Sequence, residues 1–151
     1  PNISGRLKIL DSLARPAAQA GDTSDGRHPI RLRAIAIACV DEATAVRARA
    51  VQLAAANGMT DLPFWQTALK DTAPSVRLFA ASGAASQHQK LAAPLLLTAI
   101  EQEQDPQAFA AMHRSLAKVL KVTTPVIDKN SPNDRQAAVL HWKTQLDQNG
   151  L

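Results

Sequence analysis

The chain has 151 residues, 46% of them apolar, a net charge of +4, and only five aromatic side chains, three Phe and two Trp, with no Tyr. That length fits one domain burying about two-thirds of the surface its unfolded chain exposes, so disulfide or metal staples are not required. A lone cysteine, Cys39, excludes an internal disulfide, and no apolar run reaches the roughly eighteen residues of a membrane-spanning helix.

Taken in order, the segments read as helix after helix. Ser4 to about Gln19 carries Leu7, Ile9, Leu10 and Leu13 in helical rhythm, with Pro16 bending or ending it. The start, Pro1-Asn-Ile-Ser-Gly-Arg6, has neither signal nor transit character, and the missing Met leads us to expect a segment of a longer protein. Residues 21 to 29 are dense in Gly, Asp, Ser and Thr and read as an exposed loop. From Ile30 to Val40, Leu32, Ile35, Ala36 and Cys39 make one helical face, and Asp41 begins the turn out of it. The next helix starts near Ala43, places Val46, Ala50, Leu53 and Ala54 on one stripe, and stops at Asn57-Gly58. Pro63 to Lys70 forms a further helix with Thr60 or Asp61 near its cap, and the helix after it repeats the stripe as Val76, Ala80, Gly83 and Ala84.

A third unit runs from about Lys90 to Glu103 and restarts at Asp105-Pro106, a cap residue followed by Pro at the first helical position. Phe109, Met112, Leu116 and Ala117 continue the stripe; in this alignment Ala110 takes the slot of Arg47 and Arg77, and His113 that of Ala50 and Ala80. Val122 to Ile127 is β-prone and broken by Pro125, so it reads as an extended connection. Ser131-Pro132-Asn133-Asp134 opens a last helix to about Gln148 that presents Val139, Trp142 and Leu146 on one side.

The strongest pattern is a repeat. Asp41-Glu-Ala-Thr-Ala-Val46-Arg47 recurs thirty residues on as Asp71-Thr-Ala-Pro-Ser-Val76-Arg77, each copy leading an Ala-rich apolar helix. Self-similarity at this period marks stacked helical hairpins, each burying its apolar face against its neighbours. Hairpins with Asp in the turn, Val-Arg opening the second helix and a Gly or Asn-Gly close resemble HEAT repeats, in the form resembling phycobilisome-lyase modules, over about residues 30 to 121. The resemblance implies an all-α superhelix, a short HEAT-like solenoid flanked by amino- and carboxy-terminal helices and spanning residues 1–151 as a single domain. It also implies that Asp41, Arg47, Asp71 and Arg77 form a structural ladder of hydrogen bonds and ion pairs between repeats.

For function, the resemblance implies a non-catalytic interaction or scaffolding module that binds a protein partner along a concave second-helix groove, near Arg49, Arg77, Phe79, His113 and Lys121. Relatives with enzymatic roles include alkylpurine DNA glycosylases and chromophore lyases, but no motif of theirs can be placed on this chain. The alternative is a nucleic-acid-binding array. It rests on the basic cluster Arg27, Arg31, Arg33, Arg47 and Arg49, provided these converge on one face.

Chemistry has little support elsewhere. The four histidines, His28, His88, His113 and His141, are never three or four residues apart, so no zinc-type helix motif exists and no cofactor is expected. Glu101 and Glu103 point in different directions on a helix, Trp65 and Trp142 read as core, and Cys39 is the only obvious nucleophile.

Overall fold

The computed structural model describes residues 2–14 and 28–151. Among them every regular element is helical: α1 (Ile3–Ser12), α2 (His28–Ala38), α3 (Thr44–Ala56), α4 (Leu62–Ala68), α5 (Pro74–His88), α6 (Ala92–Gln102), α7 (Pro106–Leu120) and α8 (Pro132–Gln148). A 3-10 turn at Gln89–Leu91 leads from α5 into α6. Of these helices, none is long and apolar enough to cross a membrane.

The helix ends follow from local chemistry. Asp105 caps α7 by accepting the amides of Gln107 and Ala108 at 2.9 and 2.8 Å, and Ser131 caps α8 by accepting that of Asp134. α3, α7 and α8 all end on a left-handed residue, Gly58, Lys121 and Gly150, with φ of 70°, 56° and 66°. In each case the next amide reaches five residues back to a helix carbonyl: Met59 to Ala54, Val122 to Ala117 and Leu151 to Leu146. Two boundaries differ from the sequence reading. α1 stops at Ser12, with Pro16 and Gln19 outside the described residues, and α2 starts at His28, because Pro29 in a first turn forfeits no hydrogen bond. Residues 21–27 of the expected loop also lie outside the described residues.

α2, α4 and α6 pack on α3, α5 and α7 as three hairpins, and α1, α3, α5 and α7 touch in series. α8 closes the row mainly against α6. Residues 41–50 and 71–80 share the same secondary structure and the same degree of burial at every position, so the sequence repeat is a structural one. The interface stripe is made largely of alanine: Ala50, Ala54, Ala80, Ala84, Ala92 and Ala93 are all fully enclosed. Small side chains let the helices approach closely, and two tryptophans fill the wider gaps. Trp65, completely buried, lies against Gly83 of α5 so tightly that a Cβ there would collide with the indole ring, which explains a glycine in mid-helix. Its Nε1–H donates to the Met59 carbonyl at 3.0 Å.

Candidate binding face

Beneath the exposed surface, successive hairpins are joined by arginine. Arg47 sends Nε and Nη2 to the two carboxylate oxygens of Asp71 at 2.8 and 3.0 Å, while Nη1 donates to the carbonyls of Asp41 and Glu42. Arg77 does the same one hairpin later, gripping Glu103 at 2.6 and 2.7 Å and donating to the carbonyls of Asp71 and Thr72. Each carboxylate also accepts the amide two residues ahead, Ala43, Ala73 or Asp105, at 2.8 Å. One side chain therefore shapes its own turn and receives the preceding arginine. Bidentate, charge-assisted pairs of this kind are geometrically specific.

The charges respond accordingly. The hydrogen bond with Asp71, and then its charge, raise the pKa of Arg47; Glu103 does the same for Arg77. Burial by itself would raise the Asp71 carboxyl, but hydrogen bonds from Arg47 and the Ala73 amide, with the charges of Arg47 and Arg77, outweigh it and hold the carboxyl below its ordinary value.

Three members of this ladder escape sequence inspection. Arg6 is the fourth residue of α1 as Arg47 is of α3 and Arg77 of α5, and it approaches Asp41 at 3.3 Å, although its Nε–H is not aligned into a hydrogen bond. Glu103 takes the place of Asp, thirty-two residues after Asp71 rather than thirty. With this register the fourth residue of α7 is Phe109, so Phe109 and not Ala110 occupies the arginine slot, and Met112 rather than His113 matches Ala50 and Ala80. The missing guanidinium arrives from α8. Arg135 lies 5.8 Å from the Phe109 ring centre and donates Nη1 to the carbonyl of Gln104, the counterpart of Glu42 and Thr72.

His113 ties the last hairpin to the extended strap and to α8. It is 3% exposed, accepts the Trp142 indole N–H on Nδ1 at 2.8 Å, and places Nε2 2.9 Å from the Pro125 carbonyl. This pairing fixes the neutral tautomer with the proton on Nε2. Burial lowers its pKa most, the Pro125 carbonyl opposes that shift, and the nearby charges of His141 and Arg114 add to it.

Sequence-based candidates are accordingly redistributed. Of the expected groove, Arg77 and His113 are drawn inside by Glu103 and Trp142, Arg49 on α3 pairs with Asp11 of α1 at 2.7 Å, Phe79 is half-buried, and Lys121 is exposed. Of the basic cluster, Arg27 lies outside the described residues, Arg33 is exposed on α2, and Arg31 is half-buried on the same helix. Arg47 and Arg49, two positions apart on α3, turn to opposite neighbours, Asp71 and Asp11. Burial pushes the Cys39 thiol up to about 12, with the Asp71 charge adding to the effect, so it is a poor nucleophile. Among the described residues no group of three His, Cys, Asp or Glu is placed to hold a metal.

What remains open is a face made by the second helices. Measured from each helix start, Gln52, Ser82 and Arg114 hold one position of α3, α5 and α7, and Ala56, Ser86 and Lys118 another. Ala56, Ser82, Ser86, Arg114 and Lys118 are exposed, and Gln52 is half-buried. A separate cleft of about 340 Å³ lies between the first helices α4 and α6, floored by Leu69, Leu95 and Ala99 above the Arg77–Glu103 rung.

No protein-family model matches the chain, and neither does any curated protein or solved structure.

Proposed function

We propose that this chain is a non-catalytic interaction module of the HEAT-like kind, binding a protein segment across the face formed by α3, α5 and α7. The observation that carries the reading is the aligned row of accessible positions on three successive second helices, held at fixed spacing by the arginine ladder. A surface repeated in this way suits an extended partner, which meets equivalent positions at each step. The groups best suited to chemistry point elsewhere: both ring nitrogens of His113 are engaged, and the Cys39 thiol is held protonated. Nucleic-acid binding through the Arg27 to Arg49 cluster has less support, because Asp71 and Asp11 occupy Arg47 and Arg49.

The test is site-specific photo-crosslinking in cells. A crosslinker at Ser82 on α5 is expected to yield a protein adduct, and one at Glu101, exposed on α6, is not. Adducts from Glu101 alone would move the site to the first-helix side.

A further inference from the structure

We infer that the α7 end of this face reads negative charge, and that its occupant is an acidic peptide segment laid across α5 and α7. The inference rests on the proposed binding face and specifies what that face selects. Arg114 and Lys118 lie at i and i+4 and so form one row on α7, and Lys121, the left-handed residue that ends the helix, lies just beyond it, a run about 10 Å long at the helical rise. All three are exposed, and none has a carboxylate partner among the described residues. By contrast Arg6, Arg47, Arg49, Arg77 and Lys143 each meet an acid.

A fourth cation joins this row from the strap between α7 and α8. Arg114 and Lys129 line one cleft of about 520 Å³ between α7 and residues 124–130. Among the described residues the one acid lining it is Asp128, whose carboxylate accepts the Asn130 amide within its own turn. His113, at the base, is neutral and has both ring nitrogens occupied. Two cations against one carboxylate leave the cleft net positive, Lys118 and Lys121 add to that charge along α7, and a segment carrying several carboxylates complements it.

The neighbouring surface favours a peptide over a nucleic acid. At the positions aligned with Arg114 and Lys118, α5 presents Ser82 and Ser86, small side chains over which an extended backbone can lie close. A row about 10 Å long spans about three residues of extended chain. Base stacking needs exposed aromatic rings, and here Trp65 and Trp142 are buried and Phe79 is half-buried.

The experiment is fluorescence anisotropy at low salt with a dye-labelled oligoglutamate, an oligoglutamine of equal length, and a single-stranded oligothymidylate of matched charge. The wild-type chain is expected to bind oligoglutamate and not oligoglutamine. The double variant R114E/K118E should weaken that binding about tenfold or more, and the milder R114Q/K118Q less. R33E/K70E carries the same charge change on α2 and beside α4 and should leave it unaltered. Absence of oligoglutamate binding, equal loss in R33E/K70E, or tighter binding of oligothymidylate each overturns the inference. If crosslinking from Ser82 persists in R114E/K118E while oligoglutamate fails to bind wild-type protein, the charge reading is lost and the binding face stands; if Ser82 gives no adduct, the face itself is wrong.

Discussion

The first two inner rungs of the ladder and the last hairpin solve the same problem differently. At Arg47 and Arg77 the arginine is supplied by the second helix of the hairpin itself, and its planar donor fork reaches forward to the next carboxylate. At the last hairpin Phe109 stands in that slot, a guanidinium returns from α8, and the joint to α8 is carried by His113 against Trp142. A repeating unit uses a charged clamp because each rung has both a donor and a following acceptor. Where α8 takes the place of another hairpin, aromatic packing around a neutral histidine does the joining. The difference teaches that Arg47 and Arg77 are spent on holding hairpins together, whereas Arg114 and Lys118, exposed on α7, have no such task.

The comparison can be broken most forcefully at Trp142. Trp142→Ala empties a fully buried site and leaves His113 Nδ1 without its donor, so unfolding free energy should drop by about 3–5 kcal/mol in urea titration. A loss below about 1 kcal/mol would show that α8 is not a working part of the joint. Gly83→Ala probes the inner side, because the added methyl meets the Trp65 ring; overpacking of this kind costs about 1–3 kcal/mol, readable as a lowered Tm. Asp105→Ala removes the cap of α7 and two accepted amides, with an expected cost of about 1 kcal/mol and a measurable loss of helicity.

The smallest effect sharpens the contrast by pH. Burial holds the His113 pKa below 6.5, so the unfolded chain takes up a proton that the native state refuses. Stability is then full above pH 6.5 and falls as the pH drops through it, by at most about 1.4 kcal/mol per unit. His113→Gln should flatten that slope in parallel unfolding curves. Asp71 acts in a different window: its depressed pKa contributes stability above 3.8 that disappears only as the pH falls further. An unchanged slope in H113Q would place the acid sensitivity outside the last joint.

The repeat was legible in the sequence because Asp, Val and Arg recur with unaltered spacing at 41–47 and 71–77, and the alanine stripe follows from the same period. The third unit was not, for physical reasons. Glu103 has a longer reach than Asp and sits two residues off the thirty-residue period, which shifts the alignment of α7 by one position. Arg135 fills a slot from another helix, and His113 meets Trp142 across 29 residues, contacts that no local pattern encodes. The proposed binding face was only half legible. The sequence reading placed Arg49, Arg77 and Lys121 near the groove, but which cations are already paired depends on Asp11, Asp71 and Glu103 arriving from neighbouring helices.

The most direct measurement of that division is denaturant unfolding of Arg77→Met and Arg114→Met side by side, with the double variant R77M/E103M. Arg77→Met strands Glu103, whose side chain is 1% exposed, and should cost about 3–5 kcal/mol, largely recovered in R77M/E103M, whereas Arg114→Met should stay within about 0.5 kcal/mol of wild type. Equal losses from Arg77→Met and Arg114→Met, or no recovery in the double variant, would contradict the separation of ladder cations from free ones.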